Sequence, residues 1–274
     1  MKLVALTAFS DNYIWLLHDG LQAIVVDPGD ATPVHVALDT LGLALAGILV
    51  THHHADHVGG LAALRQRLQG SAHGQIYGPA HEKIPPPYTA LNSGDQVQIL
   101  GLQFDVIDVP GHTAGHIAFF AATVPAAVGE GADEAAGSDS TPLLFCGDTL
   151  FSAGCGRLFE GTPAQMHQSL QRLASLPGAT RVCCAHEYTE SNLRFAAAVE
   201  PANAAIAACI RSSRALRAQG LATLPSTIAR ELAINPFMRC SDAAVIRSAS
   251  QHGAADHSGP AVLGALREWK NTFK

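Results

Sequence analysis

Apolar residues in the first two thirds of the chain form short runs that stop at turn residues. Gln22–Val26 stops at the turn sequence DPGD (Asp27–Asp30), and Leu45–Val50 stops where a histidine-rich stretch begins. Short, mainly apolar runs bounded by Gly, Pro and Asp predict largely buried strands. Further runs of this kind are Gln96–Ile99, Phe104–Val109, Ile117–Ala121, Leu143–Cys146 and Arg181–Ala185.

Helical segments lie between these predicted strands. Pro33–Leu41, Gly60–Leu68 and Thr162–Leu173 have a helical pattern. Thr162 suits the N-cap of the third segment, and Pro163 suits its first helical position. Strands and helices mixed in this way predict an α/β fold in which helices pack on sheets.

The pattern changes after about His186, because no strand run of comparable strength follows. Ala204–Ala218 is rich in alanine, which favours helix. Segments with a helical pattern here are Thr189–Val199, Asn203–Gln219, Ser226–Leu232 and Gly259–Trp269. We therefore predict a first domain over residues 1–186 and a helical domain over residues 187–274. Val124–Pro142 has almost no large apolar residue, which predicts an exposed loop.

The composition of the chain argues against some classes of function. Apolar residues make up 48% and charged residues 15% of the 274 residues, and the net charge is −6. This balance permits a substantial core and argues against a broad basic face for nucleic acid. No apolar run approaches the ~18–20 residues of a membrane span, and Ser10, Asp11 and Asn12 interrupt the apolar N-terminus early. We expect a cytoplasmic protein with neither nucleic acid nor membrane as partner, and we expect it to be a monomer.

The strongest chemical signal is the stretch THHHADHVGG, which holds four of the 14 histidines. It begins at a predicted strand end, where ligand sites of α/β proteins tend to lie. Side chains alternate faces in an extended segment, so the first and third of the three consecutive histidines point one way and His53 the other. The acidic residue and the last histidine follow at the turn into a helix. The metal ligands predicted from this stretch are His52, His54, Asp56 and His57.

More ligands are needed, because one metal takes about four. His112 in VPGHTAGH, Asp148 in FCGDTLF and His186 in CCAHEYT each follow a predicted buried strand. Seven ligands divide naturally into two metal sites that share one bridging carboxylate. His116 stays open between an indirect role at the site and a structural role. Histidines expected to be structural or on the surface are His18, His35, His53, His73, His81, His167, His252 and His257.

These motifs, in this order, resemble the metallo-β-lactamase superfamily, and they fit the glyoxalase II (hydroxyacylglutathione hydrolase) family best. The narrower resemblance rests on the HEYT segment, the helical C-terminal region and the R-x-x-K of the terminal REWKNTFK. It implies a four-layer αββα metallo-β-lactamase sandwich with a C-terminal helical domain that helps to hold glutathione.

The resemblance also implies a ligand assignment. One metal is held by His52, His54 and His112, the other by Asp56, His57 and His186, with Asp148 as the bridge. The implied cofactors are two divalent metal ions per chain. Zinc is the first expectation, with iron and manganese as alternatives, because histidine and carboxylate ligands suit all three.

The glutathione-contacting positions implied by the family are Arg157, Phe159, Tyr188, Arg267 and Lys270. Some family members have Lys and Tyr where this chain has Arg157 and Phe159, so a hydroxyl hydrogen bond is lost at Phe159. Glutathione carries two carboxylates, and an acidic protein must bind them through a local basic patch. Arg157, Arg267 and Lys270 are the candidates for that patch.

The implied reaction is hydrolysis of the thioester S-D-lactoylglutathione to glutathione and D-lactate, the second step of methylglyoxal detoxification. A bridging metal-bound hydroxide attacks the thioester carbonyl, and Asp56 and Asp148 are the predicted catalytic residues. The thiolate leaves without a dedicated general acid, since its pKa is about 8.5. Cys146 and Cys155 lie near Asp148 in the sequence, but this reaction needs no thiol nucleophile.

Four alternatives compete with this reaction. A non-catalytic metal-binding protein would be expected to have lost at least one of the seven ligands, and none is lost here. A mononuclear-iron glutathione persulfide dioxygenase of the same fold shares many of these ligands, and metal count and oxygen uptake separate it from a hydrolase. The negative net charge and the lack of a Lys/Arg-rich insertion argue against a nucleic-acid-processing enzyme. A β-lactamase is disfavoured by Asp148 at the bridging position.

Overall fold

The computed structural model describes residues 1–68, 76–125 and 140–273. His73, residues 126–139 of the predicted loop and Lys274 lie outside the described residues. The chain divides into two compact units, of which the first comprises Met1–Asp108 and Gly115–Gly147. The second comprises Val109–Ala114 and Asp148–Lys274. This division differs from the domain boundary between residues 186 and 187, which stays a prediction.

A six-stranded mixed sheet forms one part of the first unit. Its strands, in spatial as in chain order, are β1 (Lys2–Ala8), β2 (Asn12–His18), β3 (Gln22–Val26), β4 (Ala44–Leu49), β5 (Ile76–Pro79) and β6 (Thr89–Leu91). The first three strands are antiparallel, and β3 to β6 run parallel. β1 and β2 were not predicted from the sequence, although every residue of β2 is buried.

Helices of the first unit follow the parallel strands. They are α1 (Ala31–Leu41), α2 (Ala55–Val58) and α3 (Leu61–Leu64), and a 3₁₀ turn covers Arg65–Arg67. α1 starts at Asp30, whose side chain accepts a hydrogen bond from the backbone N–H of Thr32. Val34 and Leu38 of α1 pack into the core of this sheet. The parallel β3–α1–β4 crossover places the carboxyl ends of β3 and β4 side by side.

The first unit also contains an antiparallel set of strands in the order β10–β9–β8–β7. These are β7 (Gln96–Ile99), β8 (Leu102–Asp108), β9 (Ile117–Pro125) and β10 (Ser140–Gly147). Phe104, Phe119 and Phe145 are fully buried along these strands. The loop predicted over Val124–Pro142 was wrong at both ends, because Ser140 pairs with Pro125 and Thr141 with Val124. Ladder pairing overrides the weak side-chain pattern there.

The second unit is mainly helical and carries four short strands. Its elements are β11 (Leu150–Phe151), β12 (Gly154–Cys155), α4 (Pro163–Ala174), β13 (Arg181–Cys184), α5 (Thr189–Val199), α6 (Ala204–Ala218), β14 (Ser226–Thr227), α7 (Ile228–Ile234), α8 (Ala243–Gln251) and α9 (Gly259–Thr272). α4 begins with a capping box between Thr162 and Gln165, as the sequence predicts. α8 was not predicted. Among the helices of the described residues, none is both long enough and apolar enough to cross a membrane.

Candidate metal centre

The histidine-rich stretch is tied to the neighbouring strand by one carboxylate in the first unit. Asp27 follows β3, and Thr51 lies two residues past the end of β4. Asp27 accepts 2.7 Å hydrogen bonds from the backbone N–H and from Oγ1 of Thr51. This pair fixes the start of the stretch before the first candidate ligand.

The four candidate ligands of this stretch lie together. His52 Nε2 is 3.1 Å from His54 Nδ1, and His57 Nε2 is 3.4 Å from Asp56 Oδ2. The His52 and His57 rings have centroids 4.0 Å apart, and both residues are fully buried. Nitrogen and oxygen donors gathered at this spacing fit a divalent cation.

The two neighbouring histidines have other partners. His53 contacts the Glu82 carboxylate through Nδ1 and donates its backbone N–H to Glu82 over 3.2 Å. His116 lies with Nδ1 3.0 Å from the Ile117 carbonyl and stacks on His52, with ring centroids 4.6 Å apart. His116 therefore packs directly against a candidate ligand.

Asp27 is a site residue that the sequence analysis missed. Its Oδ2 lies 3.2 Å from Nδ1 of the His57 ring, whose Nε2 lies 3.4 Å from Asp56 Oδ2. A carboxylate on Nδ1 favours the tautomer whose Nε2 lone pair can bind a metal. Asp27 also has a φ of +53°, which is uncommon for a residue other than glycine. The available signal was an aspartate directly after a buried strand, and it was interpreted only as a turn residue.

Replacing Asp27 by alanine should weaken metal binding by about 10- to 100-fold, because His57 loses the carboxylate next to its Nδ1. The measurement is the metal retained after dialysis against a graded chelator. Asp30→Ala is the matched control in the same turn, since it removes only the α1 cap. Unchanged retention in Asp27→Ala would show that Asp27 does not orient a ligand.

The remaining three candidate ligands lie together in the second unit. His112 Nε2 is 3.4 Å from Asp148 Oδ2, and His186 Nε2 is 3.3 Å from Asp148 Oδ1. All three residues are buried. Each oxygen of the Asp148 carboxylate therefore faces a different histidine, an arrangement that fits a carboxylate shared between two metal ions.

Partners of the two histidines set their orientation. His112 Nδ1 lies 2.9 Å from the Arg157 carbonyl oxygen, so a proton on Nδ1 leaves Nε2 as the metal-binding atom. The Phe159 ring meets His112 edge-on, with centroids 5.3 Å apart. His186 stacks on Tyr188, with centroids 4.8 Å apart and planes 7° apart. Two predicted glutathione contacts thus lie against candidate metal ligands.

A surface pocket of the second unit brings together Arg157, Phe159 and Arg267, with Glu268 also in its lining. Phe159 is 62% exposed, which leaves its ring available to a ligand. Arg267 is buried and donates from Nη1 to the Cys155 carbonyl over 2.9 Å. Its buried Nε has no hydrogen-bond partner among the residues that the structure describes.

Lys270 lies near the same cations. Its Nζ is 3.3 Å from the Ser191 carbonyl and 5.5 Å from the centre of the Phe195 ring. Partial burial, together with the positive charges of the arginines, lowers the pKa of Lys270 to about 8. The arginines that contribute are Arg267, Arg194 and Arg157.

The cysteines near Asp148 in the sequence are poor nucleophiles. Cys146 and Cys155 are both buried. Burial raises the pKa of the Cys155 thiol above its ordinary value, although the charge of Arg267 opposes the shift. A thiol in this state stays protonated near neutral pH, which agrees with the expectation that the site needs no cysteine nucleophile.

Comparison with known proteins shows which fold this chain has. The family model of the metallo-beta-lactamase superfamily matches residues 8–123. Among solved structures, ETHE1 from Myxococcus xanthus is similar with a TM-score of 0.63 at 22% identity, covering 100% of this chain and 92% of its own. A metallo-beta-lactamase from Staphylococcus aureus has a TM-score of 0.59 at 19% identity, with 98% and 71% covered. The chain has the metallo-β-lactamase fold, as predicted, and these two structures are evidence for the fold alone.

The family is narrower than the fold. The model of the hydroxyacylglutathione hydrolase C-terminus matches residues 187–273. The hydroxyacylglutathione hydrolase of Albidiferax ferrireducens is 55% identical over 273 residues, and that of Pseudomonas fluorescens is 51% identical over 280 residues. Each match covers 100% of both chains. The chain therefore belongs to the hydroxyacylglutathione hydrolase family, which confirms the predicted family and its hydrolase class.

Proposed function

We propose that this chain hydrolyses S-D-lactoylglutathione to glutathione and D-lactate at a centre that holds two divalent metal ions. The observation that carries the proposal is the Asp148 carboxylate, whose two oxygens face His112 and His186 separately. Full-length relatives named hydroxyacylglutathione hydrolase support the glutathione thioester as substrate.

The proposed ligand sets follow the family pattern. One ion is assigned to His52, His54 and His112 and the other to Asp56, His57 and His186, with Asp148 shared. Zinc is the proposed metal. When bound, the ions would supply Lewis acidity and make a water molecule nucleophilic near neutral pH. A monomeric state and a cytoplasmic location belong to the same proposal.

The proposed reaction forms one C–O bond and breaks one C–S bond. Water adds to the thioester carbonyl, and glutathione leaves as a thiolate with a pKa of about 8.5. One proton of the water goes to the thiolate, and the other is released as lactate forms its carboxylate. Asp56, one of the proposed metal ligands, is held in place by Asn12, whose Nδ2 donates to Asp56 Oδ2 over 3.0 Å.

Binding of glutathione is assigned to the basic pocket and its neighbours. Arg157 and Arg267 line the pocket, and Lys270 adds a third positive charge. Two carboxylates of the tripeptide are matched by these cations. Tyr188 and Phe159 pack beside His186 and His112, so they would hold the thioester end near the candidate ligands.

The KM for S-D-lactoylglutathione should rise by about three- to fivefold as the pH passes upward through about 8. Lys270 is protonated below this pKa and attracts a carboxylate, whereas above it the amine is neutral. Initial rates at several substrate concentrations from pH 6.5 to 9.5 give the profile. Lys270→Arg stays charged across this range and should remove the rise. The same rise in Lys270→Arg would assign it to another group.

The test of the proposed function follows the loss of thioester absorbance with purified protein and S-D-lactoylglutathione, with the metal content measured on the same sample. Rapid turnover is the expected result. A fully metallated sample without turnover would overturn the proposal, and oxygen uptake with glutathione persulfide would then be assayed.

A further inference from the structure

β11 and β12 form a tight hairpin, residues 150–155, whose backbone carbonyls accept hydrogen bonds from two asparagine side chains. Asn192 of α5 donates from Nδ2 to the Ser152 carbonyl over 3.0 Å. Asn235, directly after α7, donates from Nδ2 to the carbonyls of Phe151 and Gly154 over 3.1 and 2.9 Å. Hydrogen bonds from Asn192 and Asn235 therefore hold the hairpin in addition to the pairing of β11 with β12.

A buried carboxylate completes this support. Glu231 of α7 is fully buried, and its Oε2 accepts from the Ala153 backbone N–H at 2.7 Å and from Asn235 Nδ2 at 3.1 Å. Its Oε1 accepts a hydrogen bond from Ser226. Ala153 has a φ of +55°, a conformation that a residue other than glycine keeps only when its surroundings impose it. Glu231 supplies that constraint from 78 residues away.

The hairpin connects two parts of the candidate metal centre. It starts two residues after Asp148 and ends two residues before Arg157, whose carbonyl lies on His112 Nδ1. Gly156 donates its backbone N–H to the Thr149 carbonyl over 3.2 Å. A displacement of the hairpin would therefore move the bridging carboxylate and the group that orients His112.

We propose that Glu231 and Asn235 are positioning residues that fix Asp148 and His112 for metal binding through the hairpin. The inference rests on the proposed function only because it takes Asp148 and His112 as metal ligands. Burial raises the pKa of Glu231 above its ordinary value, although its hydrogen bonds from Ser226, Ala153 and Asn235 oppose the shift.

The segment that carries Phe159, a proposed glutathione contact, is held by hydrogen bonds of its own. Loosening of the hairpin should therefore change kcat more than KM. Phe159 donates its backbone N–H to the His112 carbonyl, and Gly161 donates to the Gly111 carbonyl, both over 3.2 Å. These bonds hold the residues after Arg157 even when the hairpin loosens. If Glu231 had only a structural role, its replacement would lower the stability of the protein without changing kcat more than KM.

The first test compares Glu231→Ala and Glu231→Gln in the full chain. Glu231→Ala leaves the Ala153 N–H without its acceptor, and it should weaken zinc retention against a chelator by about tenfold or more. kcat should fall about tenfold or more with KM within about threefold. Glu231→Gln keeps an oxygen toward Ala153 and a donor toward Ser226, so it should stay within about threefold of the unsubstituted protein.

Two further variants separate positioning from loss of stability. Glu200→Ala is the matched control, because Glu200 is a buried carboxylate of the same unit whose partner is Arg239. It should lower the melting temperature and leave zinc retention unchanged. Asn235→Ser removes the two bonds to the hairpin carbonyls and the contact with Glu231 Oε2, while Glu231 keeps its bond from the Ala153 N–H. It should change zinc retention in the same direction as Glu231→Ala. It serves as the test if Glu231→Ala does not fold.

Amide hydrogen exchange of residues 150–156 is a second readout, besides zinc retention, that needs no substrate. Faster exchange there in Asn235→Ser or Glu231→Ala, but not in Glu200→Ala, together with weaker zinc retention, is the expected result. Zinc retention equal to that of the unsubstituted protein in both variants would overturn the proposal, as would a Glu231→Gln variant as impaired as Glu231→Ala. If the unsubstituted protein does not hydrolyse the thioester, the proposed function fails while zinc retention and exchange still decide the positioning role.

Discussion

Asp148→Asn should lower kcat/KM for S-D-lactoylglutathione by about a thousandfold, since several kcal/mol of metal-assisted stabilisation is at stake and about 1.4 kcal/mol is tenfold in rate. The amide is neutral and has only one oxygen, so its nitrogen must face either His112 or His186. In the unsubstituted chain each of these histidines has its own carboxylate oxygen at 3.4 or 3.3 Å. Bound metal should also fall below two ions per chain.

The measurement for Asp148→Asn is steady-state kinetics with metal analysis on the same preparation. Asp105→Asn is a suitable control, because among the residues that the structure describes this carboxylate of β8 accepts hydrogen bonds from the side chains of Gln96 and Gln103. It should keep both metal and activity. Two bound ions and undiminished turnover in Asp148→Asn would show that the residue does not bridge.

Gly156→Ala is expected to lower kcat/KM by about a hundredfold, because the added Cβ has no space. An ideal Cβ at this position lies 2.0 Å from the Asp148 carbonyl oxygen and 3.0 Å from His112 Nδ1. The backbone must shift to relieve the overlap, and a displacement of about 1 Å at a catalytic site costs about a hundredfold. Gly156 is thus required by the close approach of two ligand segments.

Gly178→Ala is the matched control for Gly156→Ala in the same unit. Its Cβ would meet the Ala229 Cβ at 3.3 Å, so a shift of a few tenths of an ångström relieves the contact. Its kcat/KM should stay within about twofold of the unsubstituted value. Equal activity in the two alanine variants would contradict the close packing assigned to Gly156.

The parts of the fold that could be predicted are those with local signals. Gln96–Ile99 and Thr189–Val199 were predicted with the bounds that the structure has, because turn residues or a helical pattern bound them in the sequence. The α4 cap was predicted because Thr162 and Pro163 are adjacent to the helix they start. The strand ends at Pro125 and Ser140 were missed because they depend on pairing between segments rather than on their own composition.

The same distinction applies to the candidate site. His52, His54, Asp56 and His57 could be proposed because the four occur within six residues. His112, Asp148 and His186 needed both their positions after strands and the family order of motifs. Asp27, Glu231 and Asn235 were missed, since their roles depend on contacts with residues 24 to 84 positions away. Sequence alone offers no local signal for such a contact.

The most direct test of the binuclear hydrolase is a zinc titration of the chelator-treated chain with S-D-lactoylglutathione as substrate. Activity is plotted against the number of zinc ions bound per chain, and Asp148→Asn is titrated in parallel. Full activity should return only as the second ion binds, and Asp148→Asn should fail to reach it. Full activity at one ion per chain, or activity that does not depend on bound zinc, would contradict the binuclear hydrolase.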